Sequence, residues 1–362
     1  MSRPDPNPQA QQQPDPLLLA AVLRNCHITD ARHARNMTMC NYLLEMREFY
    51  RWEIGLPLGE SPPRAELGRW LAARETLWNE LDDSGAEYAP LPVGAELLDP
   101  FATDVINRSL CTQGLVYGAG LGRFHKPHFF LGELLHREKR GTLEILVSGR
   151  EFARDLNAPP AALLRNTVYL RQEALRRWLW EKTEEWNLRP HQGAVRAMLA
   201  GYRYAEDPAQ AIERMTNTET ESLILHELGE HAAGLLLGTE WEKMLNDFSD
   251  RRAEVLARAL RDNLADCLTT LPALLERNAQ VSLHFWFANF EGMRQKLFPR
   301  LTSAYRVWCS DGDGTLLQAA LTAGRNHWQE QAKRVLDLYR RDGVRAEATI
   351  AALTEELDSL AL

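Results

Sequence analysis

The densest group of side chains able to do chemistry is Glu219-Thr-Glu221-Ser-Leu-Ile-Leu-His226-Glu227-Leu-Gly-Glu230-His231. On a helix, residues four apart stand one turn above each other. His226 then shares a face with Glu230, and Glu227 with His231. Stepping ~100° per residue from His226, the side chains of Glu219, Glu230, Glu227 and His231 fall within roughly 140° of arc. An imidazole and a carboxylate at this spacing can grip one divalent cation from successive turns, while a carboxylate between them takes a proton from a polarised water. The chemistry expected is metal-assisted hydrolysis. His226 and Glu230 would bind the ion, Glu227 would act as general base, and His231 would be a replacement ligand or a supporting partner. Zinc, iron and manganese are the candidate ions.

HELGE departs from the HExxH helix of zinc proteases, because Glu230 stands where the second histidine belongs, so protease activity does not carry over. A third ligand must come from elsewhere. His125, His128, Glu133, Glu173, Asp266 and His284 qualify by residue type, and spacing does not choose among them. The plain alternative is a solvated helix face on which Glu227 and His231 form an ordinary i, i+4 pair. A carboxylate-bridged pair of iron or manganese ions ranks lower. It needs Glu-x-x-His on two helices, and the chain offers Glu133-Leu-Leu-His136 with Asp30-Ala-Arg-His33 as a looser echo.

The helix carrying this cluster is expected over Glu219–Leu237, with Ile224, Leu225, Leu228, Ala232, Leu235 and Leu236 on its opposite, apolar arc. Leu223 and Leu237 close the cluster above and below, which makes a polar island suited to partial burial. Gly229 and Gly234 each cost ~1 kcal/mol relative to Ala in a helix, so close packing or backbone access is implied. Further helices are expected at Thr38–Glu53, Arg64–Leu81, Leu164–Trp186, Pro208–Arg214, Asp250–Leu275, Leu283–Leu297 and within Leu316–Leu360. In the first of these, Met39, Leu43, Met46 and Tyr50 mark the core face. Asp30 reads as the cap of a short segment containing His33. Pro127 argues against helix after Gly118, Gly120 and Gly122, and two apolar runs, Phe129–Leu135 and Leu143–Val147, flank a charged turn ending in Gly141. That pattern predicts a β-hairpin. Residues 1–16, with five prolines and four glutamines, read as a flexible tail. The expected fold class is mainly α: a multi-helix globular domain over 17–310 with a small β-hairpin insert, and a helical C-terminal extension over 311–362.

A net charge of −8 at pH 7 opposes binding to nucleic acid or an anionic membrane, since both depend on clustered Lys and Arg. Neither partner is expected. The apolar run Leu17–Leu23 is far shorter than the ~20 residues that span a bilayer, and no secretory signal is visible, which points to the cytoplasm. Five cysteines without a CxxC pair read as reduced thiols rather than a zinc or disulfide framework. Asp311-Gly-Asp313-Gly-Thr315 has the DxDGT form of haloacid-dehalogenase-type phosphatases. Its setting is helical, however, and a turn capped by Asp313 is the better reading. Gly118-Ala-Gly120-Leu-Gly122 lacks the spacing and the following helix of a dinucleotide fingerprint, so tight backbone packing is expected there.

The residues Ile28-Thr-Asp-Ala-Arg-His33, Cys40-Asn-Tyr-Leu-Leu-Glu-Met-Arg-Glu-Phe-Tyr-Arg-Trp-Glu53 and Leu225-His-Glu-Leu-Gly-Glu230 resemble an uncharacterised, mostly helical family of bacterial proteins, along most of the chain. The resemblance implies a cytoplasmic bacterial protein and brings no catalytic residue or substrate. Function therefore stays open between two classes. One is the metal-binding, hydrolytic protein described above. The other is a non-catalytic interaction or scaffold protein, whose C-terminal helices offer Val335, Leu338, Tyr339, Leu353, Leu357 and Leu360 to a protein partner or to self-association.

Overall fold

A computed structural model describes residues 13–122, 126–188 and 191–362. The chain forms two compact units, one ending at Trp180 and one running from Glu181 to Leu362. In the first unit, α1 (Pro16–His33), α2 (Met39–Glu53) and α3 (Arg64–Asp83) precede a short ribbon of β1 (Leu91–Val93) and β2 (Glu96–Leu98). Helix α4 (Thr103–Leu110) leads into β3 (Leu115–Leu121), β4 (Pro127–Arg140), β5 (Leu143–Arg154), β6 (Ala161–Leu164) and β7 (Thr167–Arg171), and α5 (Gln172–Asn187) carries the chain across the division. These five strands form one sheet in the order β3-β4-β5-β7-β6, in which β5 and β7 run parallel and the other neighbours antiparallel.

Mainly helical is thus right, but the β part is much larger than a hairpin insert. The expected hairpin is β4–β5, with Arg140 opposite Leu143 and Gly141 at φ +61° in the turn. Strand β7 occupies the start of what reads as the helix Leu164–Trp186. It is buried at every position, and burial on both faces removes the alternation that identifies a strand. Arg165, at φ +54°, turns the chain between β6 and β7, and helix begins only at Gln172.

Helix α1 opens where Asp15 accepts the N–H groups of Leu17 and Leu18 at 2.8 and 3.1 Å, with Pro16 in the first turn. It runs through Asp30 without a break, so Asp30 is not a cap. Its carboxylate is buried and accepts the Leu156 N–H at 3.0 Å, with Lys126 Nζ 3.8 Å away. Thr38 caps α2, its hydroxyl accepting the Asn41 N–H at 3.4 Å. On that helix Met46 and Tyr50 are buried whereas Met39 and Leu43 face water; Phe49, stacked on Trp52 at 5.4 Å, takes their place in the core.

The second unit is helical throughout its described residues: α6 (Gly193–Gly201), α7 (Pro208–Leu237), α8 (Thr239–Asp247), α9 (Arg251–Ala265), a π-helical turn (Asp266–Thr270), α10 (Leu271–Glu276), α11 (Gln280–Ala288), α12 (Gly292–Leu297), α13 (Pro299–Asp311), α14 (Thr315–Asp342) and α15 (Ala346–Ala352). Its core joins Leu256, Leu260 and Leu264 of α9 to Trp328, Ala332 and Val335 of α14. The segment 311–362 is therefore part of this core rather than an extension beside a domain ending near 310. Val335, Tyr339, Leu353 and Leu360 are buried in it, and Leu338 and Leu357 pack against it. Asp313 accepts the Thr315 N–H at 2.9 Å in the turn before α14. No described helix is long and apolar enough to cross a membrane.

Trp328 is fully buried, and Trp328→Ala is expected to cost about 3–5 kcal/mol in urea unfolding. Truncation after Gly324 removes Trp328 with Val335 and Tyr339 and should leave an aggregating chain. A truncated protein with an unchanged near-ultraviolet circular dichroism spectrum would contradict this packing.

Candidate metal centre

Helix α7 begins at Pro208, where Asp207 accepts the Gln210 N–H at 3.0 Å. It merges the two helices expected at Pro208–Arg214 and Glu219–Leu237. Gly238, at φ +79°, ends it and donates its N–H to the Gly234 carbonyl at 2.8 Å. The polar arc points into the protein: Glu219 and Glu227 are buried, His226 and Glu230 are partly covered, and Leu235 on the expected apolar arc is 74% exposed. The close neighbour of this arc is the end of α9. A Cβ on Gly229 would lie 2.5 Å from the Ala265 carbonyl oxygen, so only glycine lets the two backbones approach this closely. Next to that contact the π-helical turn starts at Asp266, whose carbonyl accepts the Leu271 N–H. Such wide turns recur at functional sites because they re-aim the side chains around them.

The crossing brings carboxylates from α9 to the α7 cluster. His226 Nδ1 lies 3.0 Å from Asp266 Oδ1, and Nε2 lies 3.6 Å from Glu230 Oε1. One donor atom from each of His226, Glu230 and Asp262 falls within 4.8 Å of the other two. Two arginines bracket the group. Arg261 reaches Glu230 at 2.6 Å, Asp262 at 3.4 Å and the exposed Glu242 at 3.6 Å. Arg294 pairs with Asp266, and its backbone carbonyl accepts from Asn263 Nδ2 at 3.2 Å.

Burial opposes charge on every member, and pairing decides which charges survive. Burial disfavours the His226 cation, yet Asp266 and Glu230 outweigh it and hold the imidazole well above its ordinary value. The Glu230 carboxyl is likewise disfavoured by burial, but the His226 hydrogen bond and Arg261 draw it down to about 2. Asp266 falls to about 2 as Arg294 and His226 overcome its burial. Burial raises Asp262 despite Arg261. Glu227 is pushed up to about 7, first by burial and then by the Glu230 charge. It is the carboxyl of the group poised to exchange a proton near neutrality.

The remaining sequence candidates lie elsewhere. His231, on α7, does not belong to the converging donor group. Glu219 sits in its own buried set with Tyr202, Ser222 and Ser282. In the first unit, His128 bonds Asp155 at 3.1 Å, Glu133 and His136 are exposed on the strand β4, and Glu173 accepts the Glu151 N–H. His284 Nδ1 lies 2.7 Å from the Tyr305 hydroxyl. His125 falls outside the described residues. Asp266 joins the cluster as the partner of His226 Nδ1. Asp262 was missed, although Asp262 and Asp266, four apart on an expected helix, formed a readable pair.

The N-terminal domain of a family of unknown function, DUF6866, matches residues 17–171, and the C-terminal domain of the same family matches residues 176–357. The chain belongs to the DUF6866 family. No curated protein and no solved structure matches it. Family membership brings no assigned activity, so the chemistry of this DUF6866 protein has to be argued from the site. The two matched segments meet at the start of α5, close to the division between the compact units.

Two substitutions test the geometry. Gly229→Ala should cost about 1–3 kcal/mol, because its methyl meets backbone that cannot rotate away. Gly234→Ala, with nothing within 4 Å of the added methyl, should gain up to about 1 kcal/mol in the same urea titration. The second test uses pH. A carboxyl raised from 4.5 to about 7 keeps its proton longer in the folded state, so it lowers stability as pH climbs through that window. Glu227→Gln should match wild type near pH 5 and exceed it by on the order of 2 kcal/mol at pH 8. A constant difference across that range would show that Glu227 does not titrate there.

Proposed function

We propose that the second unit binds one divalent metal ion through His226, Glu230 and Asp262 and uses it for hydrolysis, with Glu227 as general base. One observation carries the reading. Asp266 holds Nδ1 of His226, which leaves Nε2 turned toward Glu230. A histidine ligand with its second nitrogen fixed by a carboxylate is the usual arrangement at protein metal centres, because the carboxylate sets the ring's tautomer and raises its basicity.

Charge balance supports the same reading. Four carboxyl groups, Glu227, Glu230, Asp262 and Asp266, stand against the two guanidinium groups of Arg261 and Arg294. The deficit of two positive charges can be met by protons, one on His226 and one on Glu227. A divalent ion meets it equally well, with His226 neutral and Glu227 ionised. Glu230 would then exchange its Arg261 contact for the ion, and Arg261 retains Asp262 and Glu242 within reach. One imidazole and two carboxylates form a donor set suited to zinc, manganese or ferrous iron.

When bound, the ion would act as a Lewis acid that makes a water molecule nucleophilic near neutral pH. Glu227 would be the residue to accept a proton from a water at the site and to return it to the leaving group. Arg261 and Arg294 supply positive charge beside the reacting centre.

Metal-free protein incubated with zinc, manganese or ferrous ion and then desalted should retain about one ion per chain. His226→Ala and Asp262→Asn should fold but lose the ion, Asp266→Asn should bind about 10–100-fold more weakly, and Glu227→Gln should keep it. Uptake near pH 6.5 should release up to about two protons per ion, measured by calorimetry in buffers of different ionisation enthalpy. Equal metal content in wild type and His226→Ala, or none in wild type, would leave the cluster as an internal ion network.

A further inference from the structure

The first unit contains a pocket of about 210 Å³ lined by residues of α2, the loop after it, β5 and α5. Four arginines border it, Arg51, Arg154, Arg176 and Arg177, together with Glu48, Glu151 and Glu173. Several of these charges already have partners. Arg51 meets Glu48 at 3.1 Å and donates to the Pro57 carbonyl at 2.6 Å. Arg177 reaches Glu45 at 3.4 Å. Arg171 clasps Glu151 with two bonds of 2.6 and 2.8 Å.

Arg154 differs from all of these. It is 2% exposed, and none of its three guanidinium nitrogens has a hydrogen-bond partner. Its guanidinium carbon lies 5.1 Å from the centre of the Phe49 ring and 5.0 Å from that of Trp52. The rings attract the charge of the guanidinium but offer no acceptor oxygen to its five N–H donors, which are left to something else. Burial, followed by the Arg177 charge, lowers its pKa to about 9. A buried, unpaired cation is among the costliest features a fold can carry, and an anion in the pocket removes the cost.

We propose that this pocket binds a small molecule through an oxyanion group, a phosphate or a carboxylate, whose oxygens accept hydrogen bonds from Arg154. The planar guanidinium fork matches both groups. Arg176 and Arg177 add positive charge beside the anion, and the Trp52 ring, itself part of the wall, offers an apolar surface to the rest of the ligand. The inference is independent of the metal reading, which concerns residues of the other unit.

The test uses the full chain stripped of metal on a chelating resin, so that metal binding does not enter and no soluble carboxylate competes. Inorganic phosphate, pyrophosphate and succinate are titrated by calorimetry and thermal unfolding at constant ionic strength, with chloride as the reference. At least one should bind saturably and raise Tm by several degrees. A response to phosphate or pyrophosphate alone assigns the site to phosphoryl groups, and a response to succinate extends it to carboxylates. Arg154→Met, an unbranched apolar side chain of similar length that removes every donor, should weaken binding at least about tenfold while the ligand-free Tm holds or rises. Arg176→Gln, at the partly covered edge of the pocket, should weaken it about fivefold in a folded protein. The proposal is overturned if none of the three anions gives a saturable response in wild type. It is overturned equally if Arg154→Met binds as wild type does.

Discussion

A methyl group at position 229 would sit 2.5 Å from the carbonyl oxygen of Ala265, and the lack of that methyl sets how near α7 comes to α9. The distance matters because the side chains on either side of the contact are short. Asp262 and Asp266 each have one methylene with which to reach the imidazole and carboxylate of α7. The π-helical turn that starts at Asp266 acts in the same place, since widening the helix there changes the direction of Asp266 relative to Asp262. Backbone proximity and a local change of helical pitch together bring side chains of the two helices into one converging group.

Once the groups converge, electrostatics dominates. Carboxyl groups taken out of water need compensation, and two arginines cannot supply enough for four acids. The remaining compensation is mobile: protons are retained on His226 and Glu227 by their surroundings. This explains why neighbouring carboxyls on one helix behave so differently. Glu230, between His226 and Arg261, is held ionised down to about 2, whereas Glu227 keeps a proton up to about 7. A site whose proton inventory changes near neutral pH is also one whose affinity for a cation changes there.

The sequence revealed the α7 helix and its HELGE cluster because four-residue spacing is a local property. It misled about which side of the helix meets water. Ile224 and Leu225 are buried on one side and Glu219 and Glu227 on the other, so no single apolar arc exists to be read. The partners of the cluster lie on α9, and nothing in a single sequence says which helices cross. Asp30 makes the same point in the first unit. Its type and position suggest a cap, yet its carboxylate accepts the N–H of Leu156, 126 residues away. Strand β7 was hidden by burial on both faces, whereas the close packing expected at Gly118 is met in the strand β3, where the missing side chain makes room for the Phe130 ring of β4. Local periodicity identified most helices, while sheet order and site completion depended on contacts distant in sequence.

Each unit buries an imbalance of charge, and the two are of opposite sign. In the second unit acids outnumber arginines around His226; in the first, Arg154 has no acceptor although Glu48, Glu151 and Glu173 border the same pocket. Those carboxylates are committed, Glu48 to Arg51, Glu151 to Arg171, and Glu173 to the Glu151 backbone N–H. An arginine needed only to fill space beside Phe49 and Trp52 would be better replaced by an apolar side chain, because replacing a buried charge by a group of similar volume is neutral or stabilising. What an apolar residue cannot do is offer a fixed, planar set of donors to an incoming anion. The same reasoning applies to Glu227, for which glutamine would satisfy burial more cheaply but could not accept a proton. In both places the residue that weakens the fold is the one that retains chemical capacity, which is how strain and function are coupled in folded proteins.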